Sequence, residues 1–225
     1  MRNATLEFKL KVSASIGEVS CIWNKVEQST DLLILAHGAG AGMHHSFMER
    51  LSEALSDHQI STLRFQFPYL EQGKKRPDRP EIAHQTIQTV YNEAKNLCSG
   101  CAVFLGGKSY GGRMSSQTVA LNLVDQIGGI VFYGFPLHPP GKISMERADH
   151  LFKIQQHMLF CQGTRDKLAE ITLMKSLHEK LGENASLYVI EGGDHSFAVP
   201  KSTHKNQDDI IRDLGRQTRQ WMNSL

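Results

Sequence analysis

The 225-residue chain has few cysteines and no long hydrophobic run. Four cysteines, at positions 21, 98, 101 and 161, are too few for the disulfide framework of a small secreted domain, so we expect reduced thiols. No stretch approaches the ~18 apolar residues of a membrane span. The opening MRNATLEFKLKV alternates polar and apolar residues instead of forming the apolar block of a secretory signal. We therefore expect a soluble, cytoplasmic protein without a membrane partner.

The chain also lacks an excess of one charge, because it has 25 Lys and Arg residues and 23 Asp and Glu residues. Proteins that bind nucleic acid usually carry a basic excess, so composition gives no support for a nucleic-acid partner. The length fits one globular domain over residues 1–225. A protein partner is not indicated either.

Metal-binding and redox patterns are weak. Cys98 and Cys101 form a C-x-x-C pair, but it follows a predicted helix instead of opening one, and no second ligand pair exists. His44 and His45 are interpreted as polar loop residues rather than as metal ligands. We expect neither a metal nor a cofactor.

Short apolar runs alternate with helical patterns along most of the chain. Alternation at residues 6–12 and 19–23 predicts an antiparallel strand pair. Further strands are predicted at 32–36, around 60–65, and at 101–106, 128–135, 157–163 and 186–192, with helices including 113–124, 171–181 and 210–225. This order predicts an α/β fold with about eight strands, a mostly parallel central sheet and helices on both faces. Functional residues then follow the carboxyl ends of the strands.

The stretch GGKSYGGR, residues 106–113, places a serine between glycines at a predicted strand-to-helix turn. Gly107 and Gly111 flank Ser109 in the pattern G-x-S-x-G, in which a strained turn exposes a nucleophilic hydroxyl. Glycine suits these positions because a Cβ would meet the neighbouring strand and helix. Since the pattern also arises by chance, the candidate nucleophile needs support from other residues.

A serine hydroxyl becomes a good nucleophile when a histidine takes its proton and a carboxylate orients that histidine. Asp166 and His195 each follow a predicted strand, in the chain order serine, acid, histidine that an α/β sheet predicts. Asp194 is an alternative acid, but loop neighbours rarely point the same way. Asp166 is therefore the predicted acid.

An oxyanion hole is the remaining requirement, and it needs backbone N–H groups that face the developing negative charge. One predicted donor is the amide of Tyr110, directly after the serine. The second is the amide of Ala39, with Gly40 close behind, in the loop HGAGAG that follows the strand at 32–36.

These motifs resemble the α/β-hydrolase superfamily over nearly the whole chain. More closely, the chain resembles a small, lidless, dienelactone-hydrolase-like family that shares its domain with testis-expressed proteins and a subunit of a eukaryotic histone-acetyltransferase complex. The stretches that carry this resemblance are HGAGAGM (37–43), LRFQFPYLEQGKKRPDRP (63–80), GGKSYGGRMSS (106–116), YGFPLHPPGK (133–142) and QGTRD (162–166). The resemblance implies Ser109, Asp166 and His195 as the catalytic residues.

The predicted function is a serine hydrolase that cleaves a carboxylic ester or thioester of a small acyl substrate through an acyl-enzyme. Two alternatives are an interaction scaffold with little turnover and an acyltransferase that uses the same residues. Too few residues separate the strands at 128–135 and 157–163 for a substantial lid. The basic residues of loop 74–79, with Lys108, either favour an anionic substrate or form a solvated face. His138 either lines the pocket or makes a loop hydrogen bond.

Overall fold

The computed structural model describes residues 4–204 and 206–225 and contains one eight-stranded sheet. The strands are β1 (Ala4–Ser13), β2 (Gly17–Lys25), β3 (Asp31–Ala36), β4 (Ser61–Phe65), β5 (Ala102–Lys108), β6 (Ile127–Tyr133), β7 (Met158–Gly163) and β8 (Ala185–Ile190). They lie in the order β1-β2-β4-β3-β5-β6-β7-β8. The pairs β1–β2 and β2–β4 are antiparallel, and every other neighbouring pair is parallel. The predicted mostly parallel sheet with an antiparallel N-terminal pair is confirmed.

Strand β3 shows why its sequence is a continuous apolar run. Leu32 and Ile34 belong to the apolar core on one face of the sheet, and Leu33 and Leu35 belong to the core on the other face. All four side chains are fully buried. Side chains alternate between the two faces of a strand, so a strand with cores on both sides needs an apolar residue at every position.

Helices cover both faces of the sheet. They are α1 (Ser46–Asp57), α2 (Pro68–Glu71), α3 (Pro80–Leu97), α4 (Tyr110–Ala120), α5 (Ile171–Leu181) and α6 (Gln207–Met222). Apolar residues of α1 and α6 join the core that contains Leu33, and those of α3, α4 and α5 join the core that contains Leu32. In α6 the predicted apolar stripe is buried, whereas Leu225 lies beyond the helix and is exposed. The stripe therefore ends with the helix.

The helix after the glycine-rich turn begins three residues earlier than the predicted start at residue 113. Helix α4 starts at Tyr110, directly after Ser109, and ends at Ala120 instead of Val124. Gly111 and Gly112 thus lie inside its first turn. The start at Tyr110 was not predicted because glycine has a low helix propensity. Close packing outweighs that preference here.

The segment between β6 and β7 builds no lid. Its regular structure is the 3₁₀ helix Glu146–Lys153, whose buried Ala148 and Leu151 join the core beside α4. No helix in the described ranges is long and apolar enough to cross a membrane.

One expectation about cysteine is wrong. Cys98 and Cys101 form a disulfide, with Cα atoms 5.5 Å apart, whereas Cys21 and Cys161 are free and buried. The chain leaves α3 at Cys98 and turns through Gly100, and the amide of Cys101 donates to the carbonyl of Cys98 at 3.1 Å. This turn brings the two residues within the Cα separation that disulfides use.

Candidate active site

The turn around Ser109 joins β5 to α4 with a backbone that only a tightly packed environment can hold. Ser109 has a φ of 50° and a ψ of −111°. A Cβ on Gly107 or on Gly111 would lie 2.3 Å from the carbonyl oxygen of Ala36 at the end of β3. Glycine at both positions lets the turn pack against the neighbouring strand. The close packing fixes the strained serine at the carboxyl edge of the sheet.

Three side chains from separate loops meet at this edge. His195 Nε2 lies 2.8 Å from Ser109 Oγ, and His195 Nδ1 lies 2.7 Å from Asp166 Oδ2. Since the carboxylate accepts the Nδ1 proton, Nε2 is left with a free lone pair that faces the serine hydroxyl. The structure thus brings together the three predicted residues in the geometry that activates a serine.

Asp166 is held as a hydrogen-bond acceptor from several sides. Its side chain is 1% exposed. Oδ1 accepts the backbone N–H of Leu168 at 2.8 Å, and Oδ2 accepts from Gln162 Nε2 at 2.6 Å as well as from His195. The alternative acid, Asp194, uses Oδ1 to accept the N–H groups of residues 196 and 198 within its own loop. Asp166, not Asp194, contacts the imidazole.

His138 supports the loop that carries Asp166. It is 3% exposed, and its Nε2 accepts the N–H of Glu170 at 3.2 Å while Nδ1 lies 2.9 Å from the carbonyl oxygen of Pro139. The backbone N–H of His138 also donates to the carbonyl of Leu168 at 2.9 Å. Of the two interpretations of His138, the structure shows the loop hydrogen bond.

The loop after β3 is fixed by hydrogen bonds of two side chains, those of His37 and Tyr69. His37 Nδ1 donates to the carbonyl of Gly38 at 2.8 Å, and His37 Nε2 accepts the N–H of Phe67 at 3.0 Å. Burial lowers the pKa of His37 to about 4, so the neutral imidazole can accept this bond at neutral pH. Tyr69 Oη accepts the N–H of Gly40 at 3.1 Å.

The hydrogen bond to Tyr69 distinguishes the two candidate amides of this loop. The amide of Gly40 donates to Tyr69, whereas the amide of Ala39 has no hydrogen-bond partner among the described residues. Ala39 also lines the cavity that contains Ser109 and His195. Its amide is therefore free to receive a hydrogen-bond acceptor from a bound molecule.

A cavity of about 370 Å³ opens beside Ser109. Its walls come from the loop after β3, the start of α1, the loop of Asp166 and the loop of His195. The larger apolar side chains in it are those of Phe47, Met48 and Leu168, beside the methyl groups of two alanines. No residue of the segment between β6 and β7 lines it in the described structure, so the cavity is uncovered on that side.

A family model described as an alpha/beta hydrolase domain matches residues 29–223. The chain belongs to the alpha/beta hydrolase family. Solved structures with the same fold include a dienelactone hydrolase from Anabaena variabilis, at a TM-score of 0.79 and 15% identity, with 100% of this chain and 99% of that chain covered. A lidless serine hydrolase from Xanthomonas campestris matches at a TM-score of 0.75 and 17% identity, covering 98% and 96%.

A third similar structure is Est1E from Butyrivibrio proteoclasticus with ferulic acid bound, at a TM-score of 0.71 and 15% identity, with 92% of this chain and 96% of that chain covered. Identities this low show the fold alone. The suggested relationship to testis-expressed proteins and to a histone-acetyltransferase subunit stays a prediction.

The basic residues of loop 74–79 and Lys108 lie in different places in this alpha/beta hydrolase. The basic residues of loop 74–79 are exposed and do not line the cavity, and Lys74 lies 3.8 Å from Asp78 in an ion pair. Lys108, next to the serine, lines the cavity. In the sequence this lysine is marked only by its positive charge, and its contacts are visible only in the structure.

The histidine pair at positions 44 and 45 lies at the start of α1 and contacts residues of that helix. His45 caps the helix, because its Nδ1 accepts the N–H of Phe47 at 3.2 Å, and His44 lies 3.7 Å from Glu49. No group of three or more His, Cys, Asp or Glu residues suited to hold a metal ion occurs in the parts of this hydrolase that the structure describes.

Proposed function

We propose that this protein is a serine hydrolase that cleaves a carboxylic ester or thioester through an acyl-enzyme intermediate. The observation that carries the proposal is the continuous hydrogen-bonded series from Ser109 Oγ through both nitrogens of His195 to the buried carboxylate of Asp166. Its geometry is the one in which a serine loses its proton as it attacks a carbonyl carbon.

Each group has a defined role in the proposed reaction. Ser109 Oγ attacks the carbonyl carbon while His195 Nε2 takes the hydroxyl proton, and Asp166 stabilises the resulting imidazolium. The amides of Ala39 and Tyr110 donate to the oxygen that becomes negative, at the N-terminal end of α4 where the helix dipole also favours negative charge. His195 then protonates the leaving alcohol or thiol.

Water completes the cycle in the second half of the reaction. His195 takes a proton from a water molecule, the resulting hydroxide attacks the acyl carbon, and Ser109 leaves with its proton restored. The products are a carboxylic acid and an alcohol or thiol. No step requires a cofactor, because the protein's own groups carry every proton and stabilise the negative oxygen.

The shape of the cavity supports a small acyl substrate. A volume of about 370 Å³ with a partly apolar lining suits a short or medium acyl chain. Est1E, which has the same fold, binds ferulic acid, a carboxylic acid of the class that ester hydrolysis releases. The absence of a lid over the described cavity leaves room for substrates that extend into solvent.

Labelling with a fluorophosphonate probe tests the proposal without knowledge of the natural substrate. We expect one equivalent of probe to attach to Ser109, and Ser109→Ala to abolish both labelling and hydrolysis of p-nitrophenyl acetate or butyrate. Ser202→Ala, at an exposed serine, is the matched control and should behave as the parent protein does. Absence of labelling in the parent would refute the hydrolase and favour a scaffold.

The acceptor of the acyl group is tested separately. With p-nitrophenyl butyrate and added short alcohols, a hydrolase should yield mainly butyric acid. Predominant formation of the alkyl butyrate at low alcohol concentration would instead identify an acyltransferase that uses the same residues.

A further inference from the structure

Lys108 occupies an unusual place beside the proposed nucleophile. Its Nζ donates to the backbone carbonyl oxygen of His195 at 2.5 Å. The same ammonium group lies 5.9 Å from the ring centroid of Phe47 and 5.2 Å from that of Phe197. The side chain thus lines the cavity and contacts the loop that carries His195.

The ammonium charge of Lys108 lacks a direct counter-ion. Among the described residues no carboxylate forms an ion pair with it. Burial lowers the pKa of Lys108 to about 8, and the more distant charges of Asp166 and Asp194 oppose this shift. His195 is the other titratable group that faces it, and the two phenyl rings from α1 and the histidine loop are neutral. The charge is therefore stabilised mainly by the carbonyl and the ring faces.

The histidine loop, residues 191–198, depends on such contacts for its position. Phe197 has a positive φ of 61° and is fully buried, with its ring stacked on that of Phe47 at 5.7 Å. Lys108 contacts the loop at this aromatic pair and at the carbonyl of His195. These contacts join the strand that leads into Ser109 to the loop that must present the imidazole.

We propose that Lys108 is a positioning residue that holds the histidine loop over Ser109 through its charged hydrogen bond to the His195 carbonyl. The inference rests on the proposed serine hydrolase function. It also assigns the lysine a role other than substrate binding, because its ammonium group is directed at the protein backbone.

Protonation of Lys108 controls this contact. Below pH about 8 the ammonium form makes a charge-assisted hydrogen bond and cation–π contacts, and above that pH the neutral amine loses the charge that strengthens both. A displaced imidazole slows serine attack steeply, since a misplacement of about 1 Å costs on the order of 100-fold in rate. Alkaline pH should therefore slow reactions of Ser109.

The experiment measures the second-order rate of fluorophosphonate labelling at Ser109 from pH 6 to pH 10, with kcat and KM for p-nitrophenyl butyrate as a second readout. In the parent protein the rate should fall as pH rises through about 8. Lys108→Met should label about 10 to 100 times more slowly, with KM changed little and without the alkaline fall. Lys108→Arg keeps its charge over this range, so it should restore part of the rate and show no fall.

Lys175→Met is the matched control, because it removes an exposed lysine charge on α5. It should keep both the parent rate and the alkaline fall. Near-ultraviolet circular dichroism and thermal melting report whether each variant folds. If Lys108→Met proves unfolded, the parent and Lys108→Arg profiles still decide the question.

Three results would overturn the inference. One is a parent-like labelling rate in Lys108→Met. Another is an alkaline fall that is identical in the parent and in Lys108→Arg. The third is a Lys108→Met protein with a raised KM for an ester whose acyl group carries a carboxylate, and with an unchanged kcat. That result would identify Lys108 as a substrate-binding group. If any of these results is obtained while the parent protein still labels at Ser109, the hydrolase proposal stands and only the role of Lys108 is refuted.

Discussion

Gln162 Nε2 donates a hydrogen bond to Asp166 Oδ2 at 2.6 Å, from a glutamine in β7 whose side chain is fully buried. The same oxygen faces His195 Nδ1, and the other oxygen accepts a backbone N–H. A carboxylate with this many donors is fixed in orientation, and so is the imidazole that it holds. The acid lies in the loop after β7 and is tied to that strand through Gln162.

Asp166→Asn should lower kcat for p-nitrophenyl butyrate by on the order of 10³–10⁴-fold, because an amide no longer enforces the tautomer in which Nε2 accepts the serine proton. Asp194→Asn is the matched control. It keeps the Oδ1 acceptor that the loop uses, so we expect a loss of less than about 10-fold. Equal losses in both variants, measured at equal folded concentration, would contradict the assignment of the acid.

Gly111→Ala should destabilise the protein. The new Cβ would lie 2.3 Å from the carbonyl oxygen of Ala36 and 2.6 Å from that of His37. Overpacking of this kind costs about 1–3 kcal/mol or more of unfolding free energy. Gly38→Ala is the stability control, because its nearest contact would be an ordinary 3.5 Å from a lysine carbon. Urea denaturation measures both, and a Gly111→Ala midpoint equal to that of the parent would contradict the packing argument.

The mostly parallel sheet and the candidate site residues were predictable because both depend on local patterns. Strands buried on both faces are continuous apolar runs, and residues that follow parallel strands gather at one edge of the sheet. Ser109 and His195 each follow such a strand, so their meeting could be anticipated from their places in the chain.

Features that depend on distant contacts could not be predicted. Nothing in the sequence pairs Lys108 with the carbonyl of His195, or Gln162 with Asp166, since each pair joins residues whose neighbourhood only the folded sheet creates. The start of α4 was missed because glycine has a low helix propensity, and close packing against β3 outweighs that preference. The C-x-x-C spacing of Cys98 and Cys101 was noted, but the pair was interpreted as reduced because it follows a helix, and the turn that joins the two residues is seen only in the structure.

His37 should make the folded state less stable in acid. Burial lowers its folded pKa to about 4, below the ordinary histidine value of 6.5, so between these pH values the unfolded chain binds more protons. Stability from this group is fully present above pH 6.5 and is lost as the pH falls toward 4, for a total of about 3 kcal/mol at about 1.36 kcal/mol per pH unit.

Urea denaturation at pH 7 and pH 4.5 compares the parent with His37→Gln, whose amide oxygen can accept the N–H of Phe67 but does not titrate. The variant should lose less stability between the two pH values. Burial also lowers the pKa of His150 to about 4, but that residue is present in both proteins, so its effect cancels in the comparison. Equal losses in parent and variant would contradict a buried neutral His37.

Leu168→Trp should shift the preference of the enzyme toward shorter acyl chains. Leu168 lines the cavity and its backbone N–H, which a tryptophan retains, donates to Asp166. The larger ring narrows a cavity of about 370 Å³, so kcat/KM for p-nitrophenyl hexanoate should fall about 10-fold relative to the acetate. Leu121→Trp, at a 56% exposed position after α4, is the matched control and should leave the ratio unchanged. An unchanged ratio in Leu168→Trp would place the acyl chain outside this cavity, because a group that blocks part of a binding site must discriminate between chains that do and do not reach it.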